Sequence, residues 1–275
     1  MESIDDIRKR AVDIRKSIVE MNAKAKSSHV GGSLSAADIL AALYFRVMSI
    51  DPKKPKWEGR DRFILSKGHC CSAIYAALAH RGFFPVDMLG QHCMEGGTMW
   101  GHLSLNSVPG SDATTGSLGH GLPIGVGMAM AIKHDKMKGR VFVLLSDGEC
   151  DEGSVWEAAL SAHQFKLDNL VAIIDYNKIQ SFGSIKEVLD LEPFAGKWES
   201  FGWSVREIDG HDMQQIVDAL EGVPFEKGKP SAVIAHTIKG KGVSFMENRL
   251  EWHYKSPDSE QYASAMKELE SGKVQ

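Results

Sequence analysis

Ile4, Ile7, Ala11, Ile14, Ile18 and Met21 recur at steps of three and four, so the chain predicts an opening helix with one apolar stripe. Ser3 followed by Asp6 gives that helix a capping-box start. The pattern over Ser33 to Met48 predicts a second helix, stopped by Pro52 and Pro55, and Cys71 to Arg81 predicts a third, stopped by Gly82. After Arg140 the pattern changes. "RVFVLL", "LVAIID" from Leu170 and "SAVIAHT" from Ser231 are continuous apolar runs, which belong in a sheet covered on both faces. Helical stretches, notably "GSVWEAALSAHQF" and "DMQQIVDAL", separate them. Alternation of this kind predicts an α/β fold, a parallel sheet flanked by helices on both faces. The residues after Pro257 predict one more helix, fraying near "SGKVQ".

Between Gly82 and Gly125 the periodicity lapses into glycine, histidine and threonine, and so long an irregular stretch inside a domain points to function. The small-residue helix that follows, Gly125 to Ala131, fits a tight core or a subunit contact equally well. No repeat or shift in composition marks a boundary, so residues 1–275 are expected to form a single domain. The 32 basic and 36 acidic residues nearly balance, which gives no electrostatic case for nucleic acid or an anionic membrane. The opening residues lack the apolar core of a signal peptide or anchor, and a cytoplasmic protein is expected. Cys70, Cys71, Cys93 and Cys150 have no C-x-x-C spacing and read as reduced structural thiols.

The chemistry is concentrated where the first long apolar run ends. "LLSDGECDEG" sets Asp147, Glu149, Asp151 and Glu152 within six residues. In an open parallel sheet, ligands gather at the carboxyl ends of strands. A carboxylate buried there needs a partner, and a divalent cation is one. The next run ends in "YNKIQ", placing Asn177 thirty residues after Asp147 on what should be the neighbouring strand. Asp147, Asn177 and a backbone carbonyl make a hard, all-oxygen set of few ligands, which suits Mg²⁺. Gly148 allows a sharp turn that exposes its N–H to an anion. Asp-Gly and Asn-Lys are common in ordinary turns, and it is their joint position at two strand ends that favours function. "KGKGVS" lacks the order of a phosphate loop, and "GHGLPIGVG" is no dinucleotide fingerprint.

These residues resemble the thiamine diphosphate signature, in which Gly-Asp-Gly is followed about thirty residues on by Asn. "SSHVGGSLS", "LSKGHCCSAIYAAL", "WGHLS", "TTGSLGHGLPIGVGMAMA", "SVWEAALSAHQFKLDNLVAIIDYNKIQ" and "IKGKGVSFMENRLEWH" are similar to transketolase, in the same order. The likeness runs from about residue 8 to about residue 260 and covers only that family's amino-terminal, diphosphate-binding domain. It implies a thiamine diphosphate-binding fold, with thiamine diphosphate and Mg²⁺ (or Ca²⁺ or Mn²⁺) as cofactors. It also implies a split enzyme whose partner chain carries the pyrimidine and C-terminal domains, assembled as an α2β2 heterotetramer, transferring a two-carbon ketol unit from a ketose to an aldose.

The resemblance further implies roles. Asp147, Asn177 and the Ile179 carbonyl match the metal ligands, Gly148 the glycine facing the diphosphate, and Gly116 and Leu118 the backbone contacts to the aminopyrimidine. His69 and His253 match histidines near the diphosphate and the reacting carbon, His29 and His102 those that contact the donor's hydroxyls, and Glu152 a glutamate facing the partner's catalytic glutamate. Glu149 and Asp151 are left as loop or capping charges, Lys239 and Lys241 as solvated lysines of a glycine-rich turn, and His80, His134 and His163 as ordinary helical residues. Ser146 replaces the signature's first glycine, a tolerable change; "MWGHLSLN" stands where a proline-containing stretch is usual and His120 where glutamine is, and the resemblance puts most groups that grip the far end of the sugar on the partner, so the donor is left open among phosphorylated, sulfonated and other ketoses. Competing readings are another thiamine enzyme, such as a split deoxyxylulose phosphate synthase or a ketoacid-dehydrogenase subunit, and a non-catalytic cofactor-binding module.

Overall fold

The computed structural model describes residues 2–272; residues 273–275, the end of the tail expected to fray, lie outside them. Helix α1 (Ile4–Ala25) starts as its sequence requires: the Ser3 hydroxyl accepts the Asp6 N–H at 3.2 Å, and Ile7, Ala11, Ile14, Ile18 and Met21 are all buried. The helix expected over Ser33 to Met48 instead comes in pieces. α2 (Val30–Ser35) and α3 (Ala37–Ala42) meet at Ala36, and a wider turn, Leu43–Val47, follows. Ser35 accounts for the break: its hydroxyl is drawn to the Gly32 carbonyl at 2.9 Å and to the Asp175 carboxylate at 2.5 Å, competing with the backbone ladder.

Next come β1 (Arg62–Leu65), α4 (Cys71–Arg81), α5 (Gly121–His134), β2 (Val141–Ser146), α6 (Gly153–Gln164) and β3 (Leu170–Tyr176). They are followed by α7 (Ile185–Val188), α8 (Phe194–Ser200), β4 (Ser204–Asp209), α9 (Met213–Glu221), β5 (Ser231–His236) and α10 (Ser259–Glu270). The five strands are all parallel, in the order β1-β2-β3-β5-β4. β1 and β4, which the apolar runs did not announce, are the two edges. β1 has four residues, and β4 carries exposed Arg206 and Glu207, the short and charged form in which edge strands evade apolar pattern searches.

Side chains alternate across the sheet with period two. Phe142 and Leu144 join a core with α1, α3, α4 and α9, whereas Val141, Val143 and Leu145 pack with α5, α6 and α8. This gives the helix–sheet–helix layering that the doubly apolar strands imply. On α5 a Cβ on Gly125 would lie 2.6 Å from Val143, while one on Gly127 would meet nothing within 4 Å. The small residues therefore serve the core on one side and leave an open face on the other.

Candidate active site

Four strands deliver the site at their carboxyl ends: Lys67 follows β1, Asp147 follows β2, Asn177 follows β3 and Lys239 follows β5. Ser146 pairs with Asp175, so the ends of β2 and β3 are neighbours, as the thirty-residue spacing predicted. Asp147 is 1% exposed, yet its carboxylate accepts only backbone N–H groups, from Gly148 at 2.7 Å and Lys178 at 2.5 Å. Among the described residues no cationic side chain pairs with it. Burial, and then the nearby Asp175, push its carboxyl up to about 6. The Asn177 side-chain oxygen accepts only the Ile179 N–H, at 3.2 Å, and faces the same cavity.

This donor set fits a divalent cation. A buried carboxylate without a counter-charge, an amide oxygen and the Ile179 carbonyl are hard oxygen ligands, and a cation would relieve the desolvation of Asp147. Among the described residues no group of three or more His, Cys, Asp or Glu side chains could hold a metal, so a cation here would depend on the amide and the carbonyl.

His29, His69, His102, Gly116, Leu118, Gly148 and His253 line the same cavity of about 230 Å³. The rings of His29, His69 and His253 lie 5.0 to 5.7 Å apart by centroid, and His102 lies 6.2 Å from His29. His29 adopts φ +72° at the start of α2, a left-handed conformation that histidine tolerates better than most residues. Burial, then the charges of its neighbours, lower His29 to about 4 and His253 to about 3; His69 falls well below its ordinary value for the same reasons. All three are neutral near pH 7, so each ring has one N–H and one lone pair, and on His253 the lone pair is the Nδ1 that accepts from Lys239 at 2.9 Å. Gly116, at φ +143°, lies so close to His102 that an added Cβ would touch its ring at 3.0 Å.

Several readings change. Lys239 is no solvated turn residue: it is 2% exposed, and its ammonium donates to the Ile179 carbonyl and to His253 Nδ1, both at 2.9 Å. Burial, then the charge of Lys67, lower it to about 8, leaving a cation in want of an anion. Glu149 is also no loop charge. Fully buried, it accepts the Ser66 hydroxyl and the N–H groups of Gly119 and Ser146 at 2.9 and 3.2 Å, and so ties the glycine-rich loop to the ends of β1 and β2. The Gly148 N–H does not face the cavity openly but donates to Asp147, and glycine is required there because a Cβ would lie 2.8 Å from Gln180. Glu152 alone among the anticipated residues lies outside the cavity, exposed at the start of α6.

Lys67 and Asp175 were missed. Burial opposes the Lys67 charge, but the pairing with Asp175 overcomes it, and Asp175 also accepts from Ser35 and Thr237. The signal was present: an aspartate inside a run buried on both faces, "LVAIID", demands a partner. Ser146 sits in ordinary strand conformation, so the departure from glycine costs nothing there. His80, His134 and His163 all lie away from the cavity, as expected.

A doubly wound sheet with an unpaired buried carboxylate, a cationic floor and a ring of neutral histidines at its strand ends suits a phosphorylated cofactor held through a metal. Residues 6–270 match the model of the family described as transketolase, thiamine diphosphate binding domain, and the chain belongs to that family. It is 47% identical over 258 residues to an apulose-4-phosphate transketolase subunit of Phocaeicola vulgatus, covering 93% of this chain and 90% of that one. It is 46% identical over 265 residues to a 6-deoxy-6-sulfo-D-fructose transketolase subunit of a Clostridium species, covering 96% of each. The solved transketolase from Leishmania mexicana superposes with a TM-score of 0.91 at 29% identity, over 98% of this chain but only 42% of that one. The fold is thus the thiamine diphosphate-binding one, in a chain as long as the relatives called subunits and less than half as long as the single-chain enzyme.

Proposed function

We propose that this chain is the diphosphate-binding subunit of a thiamine diphosphate-dependent transketolase, moving a two-carbon ketol unit from a ketose to an aldose. The observation that carries it is the convergence of Asp147, Asn177 and the Ile179 carbonyl with His29, His69, His102 and His253 on one cavity. The cofactor, when bound, supplies the carbanion and the electron sink. Asp147, Asn177 and Ile179 hold the cation that carries its diphosphate. Gly116 and Leu118 meet the aminopyrimidine, and Gly148 closes the turn beside the phosphates. His69 and His253 flank the reacting carbon, while His29 and His102 bind the donor's hydroxyls and exchange protons with them.

Residues 1–275 form one domain, and the pyrimidine and C-terminal domains belong to a separate chain in an α2β2 assembly. Exposed apolar side chains beside the site support this, Phe182 at 83% and Tyr254 at 60%, as does Glu152 standing free at the start of α6. Two relatives named for ketoses bearing a phosphate or a sulfonate support an anionic ketose as donor. Unpaired cysteines, three of them buried, support a reducing cytoplasmic location. Among the described residues no helix is long and apolar enough to cross a membrane.

The test is calorimetry on the chain assembled with its partner. Thiamine diphosphate should bind in the presence of Mg²⁺ and fail to bind in EDTA; absence of binding in both would refute the assignment. A panel of phosphorylated, sulfonated and neutral ketoses then identifies the donor.

A further inference from the structure

The turn that carries Lys239 is rich in glycine, "KGKG", and glycine loses the most freedom on ordering. Something outside the turn must fix it. Gly240 N–H donates to the Gly31 carbonyl at 2.9 Å, and Ile238 and Lys241 are each held by a side chain. The Ile238 N–H donates to His211 Nε2 at 2.8 Å, and the Lys241 carbonyl accepts Arg15 Nε at 3.1 Å. Both holders converge on one carboxylate. Asp38, 7% exposed on α3, accepts Arg15 through both terminal guanidinium nitrogens at 2.9 and 2.5 Å and His211 Nδ1 at 2.7 Å.

The tautomer follows from these bonds. Nε2 accepts an amide proton and so carries the lone pair; Nδ1 therefore carries the hydrogen and donates to Asp38. Burial works to raise the Asp38 carboxyl, but Arg15 and His211 overcome it and hold it below the usual carboxylate range. Asp38 stays ionised and fixes both partners. Helix α1, helix α3 and the loop after β4 are thus tied, through one carboxylate, to Ile238 before Lys239 and to Lys241 two residues after it.

We propose that Asp38, Arg15 and His211 form a positioning device that sets the Ile238–Lys241 turn and thereby places the Lys239 ammonium against Ile179 and His253. The inference rests on reading the cavity as the thiamine diphosphate site. None of the three lines that cavity, so they act through Lys239 rather than on the cofactor. The imidazole ring does what neither half of it can: its near nitrogen serves the carboxylate, its far nitrogen the turn. With His211→Gln the longer side chain would reach Ile238 with its amide oxygen, whereas with His211→Asn the shorter one would reach only Asp38.

The test compares His211→Ala, His211→Gln and His211→Asn. In the isolated chain, ¹⁵N spectroscopy should show His211 protonated at Nδ1. The Ile238 amide should exchange faster in His211→Ala and His211→Asn and regain protection in His211→Gln, with the His253 Nδ1 shift following the same order. In the assembled enzyme, His211→Ala should raise the KM for thiamine diphosphate by roughly fivefold or more, the scale of one lost hydrogen bond, with kcat within about twofold. His211→Gln should recover most of that loss and His211→Asn little of it. A variant order that tracks melting temperature instead, or a His253 signal that no variant moves, would overturn the proposal. A wild-type assembly indifferent to thiamine diphosphate would instead overturn the reading of the cavity, while the spectra of the isolated chain would still decide the positioning role.

Discussion

At the scale of single residues, Asp147 shows how function is held against stability. Its carboxyl is raised to about 6 in the fold, so near pH 7 the chain keeps a buried anion at a cost. The sign is that of a group whose folded value lies above its unfolded one: the stability it contributes is present below pH 3.8 and is lost as the pH rises through about 6. Asp147→Asn keeps the shape and removes the charge, but its amide nitrogen would face one of the two backbone N–H groups that the carboxylate accepts. Relief of the buried charge, on the order of 1–3 kcal/mol at pH 7, is then offset by a lost hydrogen bond of about 1–3 kcal/mol, so the melting temperature of the metal-free chain at pH 7 should change little. The same substitution should weaken Mg²⁺-dependent cofactor binding by at least about a hundredfold, or ~3 kcal/mol. Scanning calorimetry and titration calorimetry on one preparation check both; unaltered Mg²⁺-dependent binding would remove Asp147 from the metal.

At the scale of elements, the close approach of α5 to β2 rests on one missing side chain. Gly125→Ala gains helix propensity of about 1 kcal/mol but drives a Cβ to 2.6 Å from Val143, and overpacking of that kind costs about 1–3 kcal/mol. The expected outcome is a net loss. Gly127→Ala adds the same propensity with nothing within 4 Å, so it should stabilise the isolated chain by up to about 1 kcal/mol. Urea titration of the two variants should move the midpoint in opposite directions. How legible the elements were follows the same physics. α1, α4, β2, β3 and β5 bury whole faces and declared themselves by period. β1 is apolar but only four residues long, too short to show a period, β4 is an edge with little apolar surface to declare, and the break at Ala36 depends on a serine reaching an aspartate 140 residues away.

At the scale of the whole molecule, the buried histidines set the acid limit. Burial lowers His29 and His92 to about 4 and His253 to about 3, and His69 lies well below its ordinary value. Each is a base with a depressed folded value. The stability it contributes is present above the unfolded value of 6.5 and is lost as the pH falls toward 4. Asp147 opposes them over part of that range, one proton against four. The melting temperature of the metal-free chain should therefore change little above pH 7 and fall with increasing slope below pH 6.5. A melting temperature constant from pH 7 to pH 5 would show that these imidazoles are not held neutral by the fold.

The sequence by itself determined the layer order, the strand ends that carry Asp147 and Asn177, and the resemblance that marks the histidines, because periodicity and motif spacing are local properties. Tertiary structure alone decided which charges are buried. Glu149 and Lys239 look like solvated loop residues in one dimension, and only the packing of distant strand ends and helices takes them out of water. The pairing of Lys67 with Asp175, and of Asp38 with Arg15 and His211, joins residues from 23 to 173 positions apart. No local pattern encodes such pairs, because their energy comes from the exclusion of water by the rest of the fold.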